Sequence, residues 1–181
     1  MSKKLMMNNY SEIDCDFYLK NKSFDGISDY VDTGLNLFDT DSDWCIYINF
    51  TNLGKADNYP RIIHNLEEKP PYPGVTLSIN NANRLDLGGS FGWWSFSPLT
   101  PGLKLVFFRR GSSIGYKVAN QTIREGYGYV FEKIDYNLLI GCDQKMNGVK
   151  GGHWKGIVHE LIVYKNKTVT NEEIDSLLQR G

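Results

Sequence analysis

The stretch WCIYINF at residues 44–50 decides the fold class because its side chains alternate between two faces. One face carries four large apolar side chains and the other is mixed: Trp44, Ile46, Ile48 and Phe50 against Cys45, Tyr47 and Asn49. Successive side chains of a β-strand point to opposite sides of the sheet. The alternation therefore predicts a strand with one face in a core and one half-polar face.

Short segments of similar character follow along the chain, separated by turn residues. Further strands are predicted at 30–33, 61–64, 75–80, 103–110, 116–119, 121–124, 137–142 and 157–164. Stretches rich in Pro and Gly at 70–74 and 98–102 separate neighbouring strands. Segments 116–119 and 121–124 are predicted to pair across a tight turn at Asn120. Many short strands without alternating helices predict an all-β fold, a two-sheet antiparallel jelly-roll sandwich.

One helix is predicted, at the C-terminus. Thr170 and Glu173 have the spacing of a capping box. Ile174, Leu177 and Leu178 form an apolar stripe at helical spacing. Because so short a helix is not stable in isolation, we expect the stripe to dock on a sheet.

Composition and charge bound the class of protein. The chain has 181 residues, of which 41% are hydrophobic and 23% are charged, so a folded domain is predicted and global disorder is excluded. Residues 1–12 are predicted to form an N-terminal arm and residues 13–181 a single domain. The net charge is −1, which provides no basic face, so we expect no nucleic-acid partner.

Cysteine usage and the first residues indicate where the chain is made. Cys15, Cys45 and Cys142 are odd in number and lack metal-ligand spacing, which favours a reducing compartment over secretion. The apolar run after Lys4 ends at Met7, too short for a signal peptide, and no run reaches the length of a membrane span. We expect synthesis in the cytoplasm without a signal peptide, an expectation compatible with display on a virion surface.

Two segments resemble a known family. The first is FDGISDYVDTG at 24–34, and the second is WKGIVHELIVYKN at 154–166, followed by TNEEI at 170–174. Together they resemble the laminin G-like, concanavalin A-like lectin/glucanase superfamily over nearly the whole chain. The resemblance implies two antiparallel sheets, one of them concave, with loops at the rim. Such folds host lectins, glycosidases, receptor-ligand modules and virion components, so the resemblance implies no single function.

Glucanases of this superfamily carry carboxylates at E-x-D-x-x-E or E-x-D-x-E spacing on one strand, which sets an acid and a nucleophile about 5–5.5 Å apart. This sequence contains no such run, and Glu160 stands alone on its predicted strand. No histidine lies in a recognisable nucleophile motif. The sequence predicts that the chain is not an enzyme, with a glycosidase as an alternative.

A cluster of aspartates raises the question of calcium. Asp39, Asp41 and Asp43 resemble the opening of an EF-hand loop, but position six is Trp44 and position twelve is Phe50, which excludes an EF-hand. A solvated turn before a strand is the simpler interpretation. Related domains often bind Ca²⁺ between loops, so a structural Ca²⁺ is retained as an alternative, and no other cofactor is expected. The rival ligands for such an ion are Asp25, Asp29 and Asp32.

Sugar recognition needs a flat aromatic face for the C–H side of the ring and polar groups for the hydroxyls. The run GGSFGWW at 88–94 ends in two indoles, and GYGY at 126–129 repeats the pairing of aromatic residues with glycine. Adjacent residues of an extended chain face opposite ways, so at most one tryptophan of the pair is expected in the core. Packing in the core is the alternative interpretation for each aromatic residue. The predicted carbohydrate-binding residues are Trp93, Trp94, Tyr127, Tyr129 and His153.

Three functions follow from these features. The first is a non-catalytic carbohydrate-binding or adhesion module that recognises a glycan or a cell-surface polysaccharide. The second is a structural virion component of a bacterial virus (capsid decoration, head fibre or tail protein) with other virion proteins as partners. A symmetric homo-oligomer with a large apolar interface would favour this second function. The third is a glycosidase.

Overall fold

The computed structural model describes residues 14–39, 41–54, 59–67, 69, 72–89, 91–96, 99–144 and 148–180. The predicted N-terminal arm and parts of the predicted turns at 70–74 and 98–102 lie outside these residues. The described strands are β1 (Phe17–Asp25), β2 (Val31–Asp32), β3 (Trp44–Asn52), β4 (Arg61–Leu66), β5 (Gly74–Ile79), β6 (Leu85–Gly89), β7 (Gly92–Phe96), β8 (Leu103–Arg110), β9 (Ser113–Val118), β10 (Arg124–Gly126), β11 (Leu139–Ile140), β12 (Asp143–Gln144), β13 (Lys150–Gly151) and β14 (Lys155–Lys165). One helix, α1 (Asn171–Leu178), follows them.

Two large sheets make up the fold. Sheet A has the strand order β1-β14-β3-β8-β9-β10, and sheet B has the order β2-β11-β4-β5-β6-β7. All neighbouring strands in both sheets are antiparallel. β12 and β13 form a separate two-stranded ribbon. Apolar side chains of both sheets share one buried cluster, so the sheets pack face to face as a jelly-roll sandwich. This confirms the predicted fold class.

The stretch that predicted the fold lies at the centre of sheet A, with β14 on one side of β3 and β8 on the other. Trp44, Ile46 and Ile48 are fully buried between the sheets. Burial of such a side chain stabilises a fold by about 1.5–3 kcal/mol. On the other face of β3, Cys45 and Tyr47 belong to a second buried cluster, which includes the apolar stripe of α1. Both faces of this strand are therefore covered.

The helix covers the outer face of sheet A, as its sequence predicts. The Thr170 side chain accepts a hydrogen bond from the Glu173 amide at 3.2 Å, and the Glu173 carboxylate accepts one from the Thr170 amide at 2.8 Å. Both halves of the capping box are thus present. The buried residues of the helix are Ile174, Leu177 and Leu178. The described residues contain no helix with the length and apolar character needed to cross a membrane.

The strand pattern differs from the prediction at several places, among them β1 and the β12–β13 ribbon, which were not among the predicted strands. The hairpin around Asn120 has the predicted register, with Arg124 opposite Tyr116, but its second strand, β10, begins only at Arg124 and not at Gln121. The hairpin of β6 and β7 was not predicted from the sequence pattern. Two glycines in β6 interrupt its alternation, and Phe91 in the turn is buried like a strand residue. Among the described strands, β7 of this hairpin is the last strand of sheet B.

Candidate functional site

The outer face of sheet B carries two rows of side chains across four neighbouring strands. The register aligns Arg61, Ser78, Asp86 and Ser95 in one row, which we call the polar row. It aligns His64, Thr76, Gly88 and Trp93 in the other, which we call the platform row. Neighbouring strands lie about 4.8 Å apart, so each row spans about 14 Å, and the rows are about 7 Å apart along the strands. Residues between the rows, such as Leu77 and Leu87, are buried in the core.

A β-bulge in β4 makes this arrangement possible. The pairing with β5 shifts between Arg61 and Ile63, so Ile62 is an extra residue. Ile62 and Ile63 are both fully buried. Arg61 on one side of the bulge lies opposite Ser78, and His64 on the other side lies opposite Thr76, so both belong to the outer rows. Such bulges redirect side chains and recur next to functional sites.

Trp93 is an exposed aromatic surface on the platform row. Its side chain is 51% exposed although it lies in a strand. The indole lies against the backbone of Gly88, where an added Cβ would come within 2.1 Å of its Cε3 atom. The absence of a side chain at Gly88 therefore lets one face of the indole rest on the sheet while solvent reaches the other side.

Trp94 lies on the opposite face of the same strand. Its ring centroid is 5.2 Å from that of Phe91 and 5.3 Å from that of Tyr116. Phe96, two residues further on, stacks on Tyr116 with centroids 4.8 Å apart. Of the two adjacent indoles, one thus joins the core packing and one faces outward, as alternation along a strand requires.

Asp86 is the acidic residue of the polar row. Its Oδ1 atom accepts hydrogen bonds from the Asn80 side chain at 3.0 Å and from the Ser95 hydroxyl at 2.5 Å. Asn80 is itself held, because its Oδ1 accepts from the amides of Ala82 and Arg84. Among the described residues, no donor bonds the second oxygen of Asp86 and no cation pairs with it. Of the two carboxylate oxygens, Oδ1 is thus anchored, and Oδ2 accepts from no group in the described part of the chain.

The opposite end of the polar row is closed by the β12–β13 ribbon, which packs on β4. Arg61 Nε lies 4.0 Å from Asp143 Oδ2, and the Arg61 amide donates to the Gly152 carbonyl at 2.7 Å. An added Cβ on Gly152 would come within 2.7 Å of Asp143 Oδ2, so glycine allows this close approach. Ser78, between Arg61 and Asp86, is fully buried, and no described residue bonds its hydroxyl.

His64 lies on this face but is buried, with 1% of its surface exposed. Burial, together with the positive charge of Arg61, lowers the pKa of His64 to about 3. The ring is therefore neutral at physiological pH and supports the sheet without contributing charge to the face.

The remaining aromatic residues predicted to bind carbohydrate lie elsewhere. Tyr127 is 73% exposed in the segment after β10. Tyr129, in the same segment, is half-buried and packs on Phe91 with centroids 5.9 Å apart. Among the described residues, neither tyrosine has a ring contact with Trp93. His153 is half-buried just before β14, and no described residue bonds its buried Nδ1 atom. Their role in binding stays a prediction.

The three proposed calcium ligands lie around the β1–β2 turn and in β2. Asp25 Oδ1 accepts from the amides of Ile27, Ser28 and Asp29 at 2.8, 3.0 and 2.9 Å. These hydrogen bonds hold the pKa of the Asp25 carboxyl well below its usual range. Asp29 lies 3.8 Å from Lys22 Nζ, and Asp32 accepts from the Gly34 amide. Among the described residues, no group of three His, Cys, Asp or Glu side chains is arranged to hold a metal ion. The calcium hypothesis therefore stays a prediction.

The aspartates at 39–43 have structural partners. Asp39 pairs with Lys165 at 2.5 Å, and Asp41 pairs with Arg109 at 3.3 Å. Asp43 accepts from the Gly111 amide at 2.6 Å. Each carboxylate thus ties the segment before β3 to a different neighbouring residue, which fits the interpretation as a turn.

Comparison with known proteins supports the fold. No family model and no curated protein matches the sequence. Among solved structures, the CBM40 of the Ruminococcus gnavus IT-sialidase bound to α2,3 sialyllactose matches with a TM-score of 0.66 at 12% identity, over 91% of this chain and 98% of that chain. The same CBM40 bound to α2,6 sialyllactose matches with a TM-score of 0.65 at 13% identity, over 91% and 99%. The chain has the fold of a CBM40.

Sialidases contain a similar region. A structure of the NanB sialidase from Streptococcus pneumoniae matches with a TM-score of 0.65 at 14% identity, over 88% of this chain but only 27% of that chain. This chain therefore spans about a quarter of that enzyme. These identities establish a shared β-sandwich fold, and membership of the concanavalin A-like superfamily stays a prediction.

The sequence analysis named Trp93, which the structure leaves half-exposed, as a candidate for binding, but it did not name the residues of the polar row. Asp86 lies between two core leucines in the segment LDLGG at 85–89. That alternation, preceded by the turn-forming run NNAN at 80–83, would have predicted an outward carboxylate on a hairpin strand. The alignment with Arg61 depends on the bulge in β4, for which the sequence carries no clear signal.

Proposed function

We propose that this chain is a non-catalytic carbohydrate-binding module whose glycan site lies on β6 and β7, at the edge of the outer face of sheet B. The observation that carries the proposal is the half-exposed indole of Trp93, which packs against Gly88 beside the polar row. An indole held in this way presents its free face without the loss of side-chain freedom on binding. The similarity in fold to CBM40 supports the same function.

The chemistry of the face suits a sugar. A pyranose ring buries its C–H side on an aromatic surface, and its hydroxyls exchange hydrogen bonds with polar groups at the edge of that surface. Trp93 supplies the first element, and Asp86 and Ser95 of the polar row supply the second. A single shallow platform of this kind binds weakly, with a Kd near 1 mM, or about −4 kcal/mol.

The class of glycan is proposed from the structural neighbours. The Ruminococcus gnavus CBM40 was solved with both α2,3 and α2,6 sialyllactose. We therefore propose sialylated glycans as the ligand class and use the two sialyllactoses as probes.

The experiment compares the wild-type chain with Trp93→Ala by isothermal titration calorimetry with both sialyllactoses. We expect Trp93→Ala to weaken binding more than tenfold, about 1.4 kcal/mol, and to leave the melting temperature close to that of the wild type, because the side chain is half-exposed. Tyr127→Ala is the matched substitution of an exposed aromatic residue away from Trp93. Loss of binding in Tyr127→Ala with full binding in Trp93→Ala would move the site to the segment after β10 and contradict the proposal.

The glycosidase alternative is tested in the same samples. A binding module leaves sialyllactose intact during a long incubation, which NMR spectroscopy of the free sugar follows directly. Release of sialic acid that stops in a carboxylate variant such as Asp86→Asn would establish catalysis instead. The virion hypothesis stays a prediction from sequence.

A further inference from the structure

We propose that Asp86 determines specificity at this site by accepting hydrogen bonds from sugar hydroxyls, so that the part of the glycan above it is neutral. This inference rests on the proposed function and assigns a role to a residue beside the aromatic platform. It predicts how a sialylated glycan is oriented. The uncharged part lies over Asp86, and the sugar carboxylate points away from it.

The position of Asp86 places it within reach of the same ligand as Trp93. Asp86 lies two residues before Gly88 on the same face of β6, about 7 Å along the strand. Gly88 supports the indole of Trp93. A sugar stacked on the indole therefore has Asp86 at its edge, where hydroxyl groups project.

The carboxylate is held in place before any ligand arrives. Asn80 and Ser95 both donate to Oδ1, and Asn80 is fixed by two backbone amides of its own turn. The second oxygen is available, because no donor in the described part of the chain bonds it. An oriented acceptor with an unoccupied lone pair loses little freedom on binding, so most of a new hydrogen bond contributes to affinity.

The charge around Asp86 determines what it accepts. Its neighbour Ser78 is neutral and buried, and the next residue of the row, Arg61, lies beside Asp143. With no cation pairing it among the described residues, Asp86 attracts hydroxyl and N–H donors and repels an anionic group at contact distance. Arg84 lies in the turn just before β6, where its side chain is exposed and its amide donates to Asn80 Oδ1.

The test combines a protein change with a ligand change. The probes are α2,3 sialyllactose and its monodeoxy analogues, in which one lactose hydroxyl at a time is removed. A hydrogen bond to a charged group contributes more than one between neutral groups, so we expect Asp86→Asn to weaken binding of the parent probe about tenfold or more. With the wild-type chain, one or two deoxy analogues should bind more weakly than the parent probe by a similar factor. With Asp86→Asn, the same analogues should bind less than about twofold more weakly than the parent probe, because both changes remove the same interaction.

The controls separate this inference from the proposed function. Asp175→Asn makes the same chemical change on α1, on the opposite side of the sandwich, and should bind within about twofold of the wild type. If Trp93→Ala binds the probe like the wild type, or the wild type binds no probe, the proposed function fails. If Trp93→Ala loses binding but Asp86→Asn retains it, or no deoxy analogue couples to Asp86, only the role of Asp86 is overturned.

Discussion

Gly88 and Trp93 lie opposite each other in the β6–β7 hairpin, and the indole occupies the space that a side chain on Gly88 would fill. The glycine is thus part of the platform although it has no side chain. Its contribution is a flat stretch of backbone on which the aromatic ring rests.

Gly88→Ala should displace the indole, because the added methyl group would lie 2.1 Å from its Cε3 atom. We expect a loss of stability of about 1–3 kcal/mol, typical of overpacking, measured by urea unfolding. Glycan affinity should fall with it. In a Trp93→Ala background the same substitution should cost much less stability, since the clashing ring is gone. An equal cost in both backgrounds would show that another contact makes glycine necessary.

Removal of the helix cap should cause a small loss of stability. Thr170→Ala removes the side-chain acceptor for the Glu173 amide and should lower the free energy of unfolding by about 1 kcal/mol. Thr122→Ala, at an exposed threonine in the β9–β10 turn, is the matched control and should have little effect. Both are measured by chemical denaturation, and an unchanged midpoint for Thr170→Ala would mean that docking alone holds the helix.

Alkaline pH should destabilise the chain through Tyr18, a half-buried tyrosine that donates to the Glu160 carboxylate. Burial, followed by the negative charge of Glu160, raises the pKa of Tyr18 to about 12 from an ordinary value of 10. A raised folded-state pKa means that the stabilisation is complete below pH 10 and is lost as the pH rises toward 12. The free energy of unfolding of the wild type should decline as the pH rises across this range, and that of Tyr18→Phe should decline less steeply. The matched Tyr127→Phe, at an exposed ring, should follow the wild type. Identical slopes for Tyr18→Phe and wild type would contradict the assignment.

Asp25 should stabilise the β1–β2 turn in its ionised form. Its carboxylate accepts from three backbone amides, and its pKa lies below the ordinary value of 3.8. The stabilisation is therefore present above pH 3.8 and is lost as the pH falls further. Asp25→Asn should lower the melting temperature at neutral pH, and the melting temperature of this variant should change less with pH in the acid range. Asp135→Asn, a substitution at an exposed aspartate outside this turn, is the matched control for these melting temperatures.

The calcium hypothesis has a direct test at the same turn. If Asp25, Asp29 and Asp32 hold a structural Ca²⁺, the melting temperature rises with added Ca²⁺ and falls with a chelator. Asp29→Asn should then abolish the difference, because it removes one ligand. Equal melting temperatures with Ca²⁺ and with chelator would reject the site.

Much of the fold could be predicted from the sequence because its signals are local. The alternation at 44–50 predicts the central strand, and the spacing of Thr170 and Glu173 predicts the start of α1. The β6–β7 hairpin was missed because Gly88 and Gly89 weaken the alternation in β6. The same glycines that obscured the strand allow the indole to lie on it.

The sequence by itself determined the fold class, the C-terminal helix and the expectation that Trp93 and Trp94 face opposite ways, because each depends on the period of neighbouring side chains. Only the tertiary structure decided which indole is exposed and which polar groups stand beside it. Trp93 meets the backbone of Gly88, and Asp86 aligns with Arg61 through a bulge in another strand. Cross-strand register depends on how distant segments pair, and no local pattern in the chain specifies that pairing.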